Sequence, residues 1–230
     1  MHVYFISGLG ADRQAFEKIK LPPDYTIHYL DWIKNEEGES LDAYARRMAA
    51  LIDTSQPFAV VGLSMGGMIA TCMVRWLPPH PTVLISSVAC ANEFPRLLKL
   101  ARFTRVYSLV PAAVFHKPNA LTYLLFGAKT KNEKRILDHI ITLSDAAFVK
   151  WSIGAILRWD NKQRPEGIFH IHGDRDEILP IRCTKPDVII KNGSHFMVWT
   201  KAREVSAVLV KAIEDLAKKE TNTEQVNKES

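Results

Sequence analysis

Residues 60–70 read VVGLSMGGMIA. Two apolar β-formers run into Gly62-Leu63-Ser64-Met65-Gly66, and small, helix-tolerant residues follow. A plain strand-to-helix loop needs one glycine at most, yet here Gly62, Gly66 and Gly67 surround a single serine. The pattern fits a sharp corner that pushes one hydroxyl outward. Such a serine takes a positive φ, and the residues two before and two after it must be small because strand and helix pass close together. A helix opening at Met65 would aim its free N–H groups and the positive end of its dipole at the same spot. The bland alternative is a glycine-rich turn whose serine has no chemistry.

The chain around this corner alternates. HVYFIS (2–7), YTIHYL (25–30), FAVVGL (58–63), TVLISS (82–87), IFHIHG (168–173) and DVIIK (187–191) read as strands. Most are nearly continuous in apolar character, as parallel strands covered on both faces are. SLDAYARRMAALID (40–53) carries apolar residues at helical spacing behind a Ser40 N-cap. A second helix is predicted from Met65 to Leu77, stopped by Pro78-Pro79, and a third from Lys201 to Lys219. The polar tail 221–230 is expected to fray. Alternating strands and helices imply a doubly wound, mostly parallel six-stranded α/β sheet.

A serine hydroxyl is a poor nucleophile until a base takes its proton, and that base needs an orienting carboxylate. IFHIHGDRDEILP closes the fifth strand with Asp174 and Asp176, and VIIKNGSHFMVWT closes the sixth with Gly193-Ser194-His195. Both segments therefore reach the carboxyl edge of the sheet, where Ser64 lies and where open α/β sheets bind ligands. The first oxyanion donor should be the backbone N–H of Met65, directly after the nucleophile.

With G-x-S-x-G, a later acid and a later histidine in this order, the chain resembles the serine hydrolases of the α/β-hydrolase superfamily. The likeness covers nearly everything outside residues 92–159. It implies a sheet of order 2-1-3-4-5-6 that lacks the usual two leading strands. It assigns nucleophile, acid and base to Ser64, Asp176 and His195. The acid falls on Asp176 through His172-Gly173-x-x-Asp176-x-x-x-Pro180, with Asp174 as the local rival. It gives the second oxyanion amide to Leu9 in FISGLGADR, where many relatives have His-Gly instead of Ser7-Gly8. His172 reads as a backbone hydrogen-bonder near the acid turn, and the other histidines as structural. The resemblance implies hydrolysis of a small-molecule ester or thioester through an acyl-enzyme, with no metal and no organic cofactor. A lyase or carbon–carbon bond hydrolase on the same residues is the alternative, and a non-catalytic binding protein a more distant one.

Residues 1–91 and 160–220 form the expected core, and 92–159 a helical insertion broken at Pro95, Pro111 and Pro118, in the place of the family's lid. It supplies Phe94, Leu97, Leu98, Phe103, Tyr107, Phe115, Tyr123, Leu124, Phe126, Phe148 and Trp151, some of which should line an apolar pocket. The net charge is +5. Ten Lys/Arg against four Asp/Glu fall between Glu93 and Lys150, so the rest of the chain is about neutral. Arg96, Lys99, Arg102 and Arg105 recur every third residue, a row that drifts about 60° per step around a helix. It is either a solvated surface or a cationic lid that steers anionic substrates. No nucleic-acid-binding motif and no membrane-length apolar run is present. The sequence carries no signal for an oligomeric state. Three scattered cysteines, Cys72, Cys90 and Cys183, and no signal peptide at MHVYFISGLG fit a cytoplasmic protein with reduced thiols.

Overall fold

The computed structural model describes residues 1–104, 118–142 and 145–229, with side chains of 103–104 and 220–229 left aside. Arg105, Tyr107, Pro111 and Phe115, and the side chain of Phe103, fall outside what is described.

Six strands, β1 (His2–Ile6), β2 (Thr26–Leu30), β3 (Phe58–Leu63), β4 (Thr82–Ile85), β5 (Ile168–Gly173) and β6 (Val188–Ile190), form one sheet of order β2-β1-β3-β4-β5-β6. Every neighbouring pair is parallel. The chain order reverses between β1 and β3, where Ile6 stands opposite Gly62. This is the switch point, so the loops leaving β1 and β3 emerge side by side.

The helices are α1 (Leu41–Ala49), α2 (Met65–Met73), α3 (Arg96–Thr104), α4 (Ala120–Phe126), α5 (Lys131–Thr142), α6 (Ala146–Arg158), α7 (Met197–Thr200) and α8 (Ala202–Glu229). In α1, Ser40 caps the start by accepting from the Ala43 N–H at 3.1 Å. Leu41, Tyr44, Ala45, Met48 and Ala49 form its buried stripe. Helix α2 ends earlier than expected: the Trp76 and Leu77 amides turn back onto the Met73 carbonyl before Pro78 is reached. Helix α8 is longer than expected and runs through the polar tail to Glu229. No glycine or proline follows Lys219 to stop it.

Continuous apolar strands serve two cores because successive side chains point to opposite faces. Tyr4, Ile6, Val60 and Leu84 join Tyr44 and Met48 of α1 and Ile69 and Met73 of α2 on one face. Val3, Phe5, Val61, Val83 and Ile85 join Met197 of α7 and Val205, Leu209 and Ile213 of α8 on the other. Each such aliphatic side chain contributes about 1.5–3 kcal/mol on full burial. Helices α3 to α6 all lie in the connection from β4 to β5.

Candidate active site

The corner between β3 and α2 has the predicted conformation. Ser64 has φ 52° and ψ −117°, and its carbonyl accepts from the amides of Gly67 and Met68 and the hydroxyl of Ser87. A Cβ on Gly62 would stand 2.3 Å from the Gly66 carbonyl oxygen, and one on Gly66 would stand 2.2 Å from the Ile6 carbonyl oxygen. Neither position has room for a side chain. The strained serine backbone, which costs of order 1–3 kcal/mol, persists because the surrounding main chain fixes it.

The structure brings Ser64, His195 and Asp176 into one hydrogen-bonded row. His195 Nε2 is 3.0 Å from Ser64 Oγ, and His195 Nδ1 is 2.7 Å from Asp176 Oδ2. Asp176 and His195 are buried, and Asp176 Oδ1 accepts from the backbone amides of Ile178 and Leu179. Its local rival, Asp174, is exposed. The loop leaving β1 crosses close to the serine: a Cβ on Gly8 would lie 3.4 Å from Ser64 Cβ. Among the described residues neither the Leu9 nor the Met65 N–H has a hydrogen-bond partner. The β1 loop is held by Ala11, whose carbonyl accepts from Ser7 Oγ at 2.5 Å and Trp32 Nε1 at 2.7 Å. Ser7, at the position of the relatives' histidine, thus anchors the loop itself. Sequence reasoning missed this, because Trp32 comes from a distant loop with no motif of its own.

Ser64, His195, Gly8, Leu9 and Met65 open into a cavity of about 400 Å³. Of the apolar residues expected to line it, Phe94, Leu98 and Phe126 do so. Helices α5 and α6 add the aliphatic side chains of Leu137, Ile140, Ile141, Ile153, Ile156 and Leu157, and core residues such as Met68, Ile178, Leu179 and Phe196 complete the wall. Leu97 and Leu124 point to solvent, Tyr123 donates to Asp138 at 2.8 Å, and Phe148 and Trp151 pack against Tyr44. A second, more open cavity of about 530 Å³ lies across Ala11 and Ile140, with Asp12, Lys34, Asn35 and Asp145 on its walls. The nucleophile does not reach it.

No family model and no curated protein matches the sequence. Solved structures do. A lipase-esterase related protein from Clostridium acetobutylicum superposes with a TM-score of 0.66 at 16% identity, over 92% of this chain and 94% of that one. A thermophilic esterase from Thermogutta terrifontis gives 0.66 at 15% identity, over 94% and 90%. MenH from S. aureus gives 0.69 at 13% identity, over 94% of both chains. These neighbours share one architecture. The chain has the α/β-hydrolase fold.

In this fold the electrostatics of the row follow from burial and partners. Burial pushes the Asp176 carboxyl up, but the His195 ring, the Leu179 amide and His172 together outweigh it and hold the group below its ordinary value. Burial pushes His172 down, and pushes His170 down to about 3 with help from His172 and Arg164, so both rings are neutral near pH 7. Arg96, Lys99 and Arg102 are exposed and form no part of the cavity wall. Lys99 and Arg102 donate to the carbonyls of Asn92 and Trp159, and Arg105 lies outside the described residues. Cys72, Cys90 and Cys183 are free. Among the described residues no group of three or more His, Cys, Asp and Glu is arranged to hold a metal ion, and no single helix is long and apolar enough to cross a membrane.

Proposed function

We propose that this protein is a serine hydrolase that cleaves a small-molecule carboxylic ester or thioester with an apolar acyl group. The observation that carries this reading is the unbroken row from Ser64 Oγ to His195 at 3.0 Å and on to Asp176 at 2.7 Å, opening into an apolar cavity.

In the proposed reaction the acyl chain enters among the aliphatic residues of α5 and α6 and sets its carbonyl carbon above Ser64 Oγ. His195 Nε2 takes the hydroxyl proton as the oxygen attacks. Asp176 Oδ2 accepts the Nδ1–H, fixes the tautomer and stabilises the positive ring that forms. The charge developing on the carbonyl oxygen meets the Leu9 and Met65 amides. Among the described residues these have no other partner to give up, so they cost little reorganisation at the moment of reaction. His195 then protonates the departing alcohol or thiol. Water enters, gives its proton to the same nitrogen, and releases the acid from Ser64. The reaction needs no metal or organic cofactor.

Fluorophosphonate labelling of the wild type and of Ser64→Ala, with the adduct mapped by mass spectrometry, tests the assignment. The expected adduct is on Ser64 alone, and the variant should lose esterase turnover by about a thousandfold or more. An adduct mapped to another residue would overturn the roles. A folded protein that takes no label would favour chemistry without an acyl-enzyme, the lyase or carbon–carbon bond hydrolase alternative.

A further inference from the structure

The row does not stop at Asp176. On β5, His172 and His170 are both fully buried, and neither lines the cavity. His172 Nε2 is 2.7 Å from the Leu179 carbonyl oxygen and 3.5 Å from Asp176 Oδ2. A carbonyl only accepts, so Nε2 must carry the proton. In a neutral ring His172 Nδ1 is then a bare lone pair, and His170 Nε2, 3.0 Å away, must donate to it. Two buried imidazoles therefore have their tautomers dictated by one carbonyl. That carbonyl belongs to the turn whose Ile178 and Leu179 amides hold Asp176 Oδ1.

We propose that His172 is a positioning residue for Asp176: its Nε2–H pins the 176–179 turn to β5 and turns the positive end of its dipole toward Oδ2, while His170 locks the ring that does so. The proposal rests on the reading of Ser64, His195 and Asp176 as the reacting row. The 2.7 Å bond to Leu179 is the pin. At 3.5 Å the approach to Oδ2 is too long for a strong hydrogen bond and acts through space. The charged and titratable groups that face the chain are Asp176 and His195 at one end. At the other is the Arg164–Asp187 pair, whose carboxylate accepts the His170 backbone N–H at 2.7 Å.

The test compares wild type, His172→Phe, His172→Gln and His170→Phe. Active sites are counted by fluorophosphonate titration so that kcat is expressed per labelled serine. For His172→Phe, kcat per site should fall about tenfold with KM unchanged, since one hydrogen bond to the acid turn is lost and no cavity contact changes. The acid limb of its kcat/KM profile should move to higher pH, because a carboxylate deprived of that dipole holds positive charge on the neighbouring ring more strongly. His172→Gln, which can still donate to Leu179, should recover most of kcat, and His170→Phe should shift kcat less than His172→Phe. A merely structural histidine would lower the number of labelled sites and leave both kcat per site and the limb in place. That result, or a Gln variant as impaired as Phe, would overturn the proposal. Imidazole nitrogen NMR of the wild type gives a check independent of variant folding. His172 should be a neutral, Nε2-protonated ring at pH 7–8, and a ring protonated on Nδ1 there contradicts the proposal. Failure of Ser64 to take the label in the wild type is a different result, and removes the underlying reading of the row.

Discussion

From Gly62 to Met73 every residue except Ser64 is buried, whereas α4, in the insertion, buries none of its residues and leaves Leu121 and Leu124 60% and 67% exposed. The first segment is fixed by main chain against main chain, the second by a capping box at Asn119, the Tyr123–Asp138 hydrogen bond and a contact at its end. That contact is at the far end of α4, where the Phe126 carbonyl accepts the Phe196 N–H at 3.2 Å and the Phe126 ring meets His195 edge-on at 5.4 Å. The sheet edge, built without slack, holds the reacting groups. The insertion supplies a replaceable apolar wall and touches the chemistry at few points. Fold and site geometry should accordingly be intolerant of change at the elbow, and selectivity should be tunable from α5 and α6.

The sharpest way to break this contrast is to add one carbon. Gly66→Ala places a Cβ against the Ile6 carbonyl and should destabilise the protein by about 3 kcal/mol or more. Gly38→Ala, at φ +70° with nothing within 4 Å, should cost only about 1 kcal/mol. Urea unfolding of the two variants measures the difference, and similar midpoints would mean that the elbow is not rigid.

Acid should act on the buried half first. His170 is lowered from 6.5 to about 3 in the folded protein, so between those values the unfolded chain binds a proton that the folded one does not. Stability is therefore complete above pH 6.5 and is lost as pH falls through this window, by about 2 kcal/mol at pH 5 from His170 alone. Burial lowers His172 and His80 too, and they act with the same sign. The lowered Asp176 adds its own loss only below its ordinary value of 3.8. Denaturant midpoints at pH 7.5 and pH 5 should show the decline, and His170→Phe should flatten it.

Effects in the insertion should be smaller and confined to substrate choice. Ile156→Trp fills part of the cavity and should lower kcat/KM for long-chain esters about tenfold while sparing acetyl esters. An equal loss for both chain lengths would place the acyl group elsewhere. Leu97→Ser, at a side chain 76% exposed, should change stability by less than about 0.5 kcal/mol and leave turnover unchanged. Because the described cations of α3 lie off the cavity wall, anionic and neutral esters should respond alike to ionic strength; a steeper response by the anionic ester would revive steering.

The same contrast explains what the sequence discloses. FAVVGL and IFHIHG match their strands residue for residue because β-branched runs between helices have few other uses. The Ser64 corner is legible because only glycine tolerates the backbone contacts at 62 and 66. His172 reads correctly as a backbone hydrogen-bonder, since its motif fixes it beside the acid turn. The cavity wall is read less well. Aromatic residues such as Phe148 and Trp151 draw attention by size, yet they pack on Tyr44, while plain isoleucines on α5 and α6 face the ligand space. Periodicity says that a helix has an apolar face but not whether that face meets core or cavity. The hold of Ser7 and Trp32 on Ala11 is invisible for another reason: it joins positions whose proximity only the folded sheet creates.

Rapid quenching of the enzyme during turnover of a nitrophenyl ester, followed by mass spectrometry of the peptide containing residue 64, tests the acyl-transfer claim most directly. The account predicts that this peptide gains the mass of the acyl group, that the gain maps to Ser64, and that it decays at the rate of product acid release. Steady turnover by an enzyme whose residue 64 never carries the acyl group would contradict it.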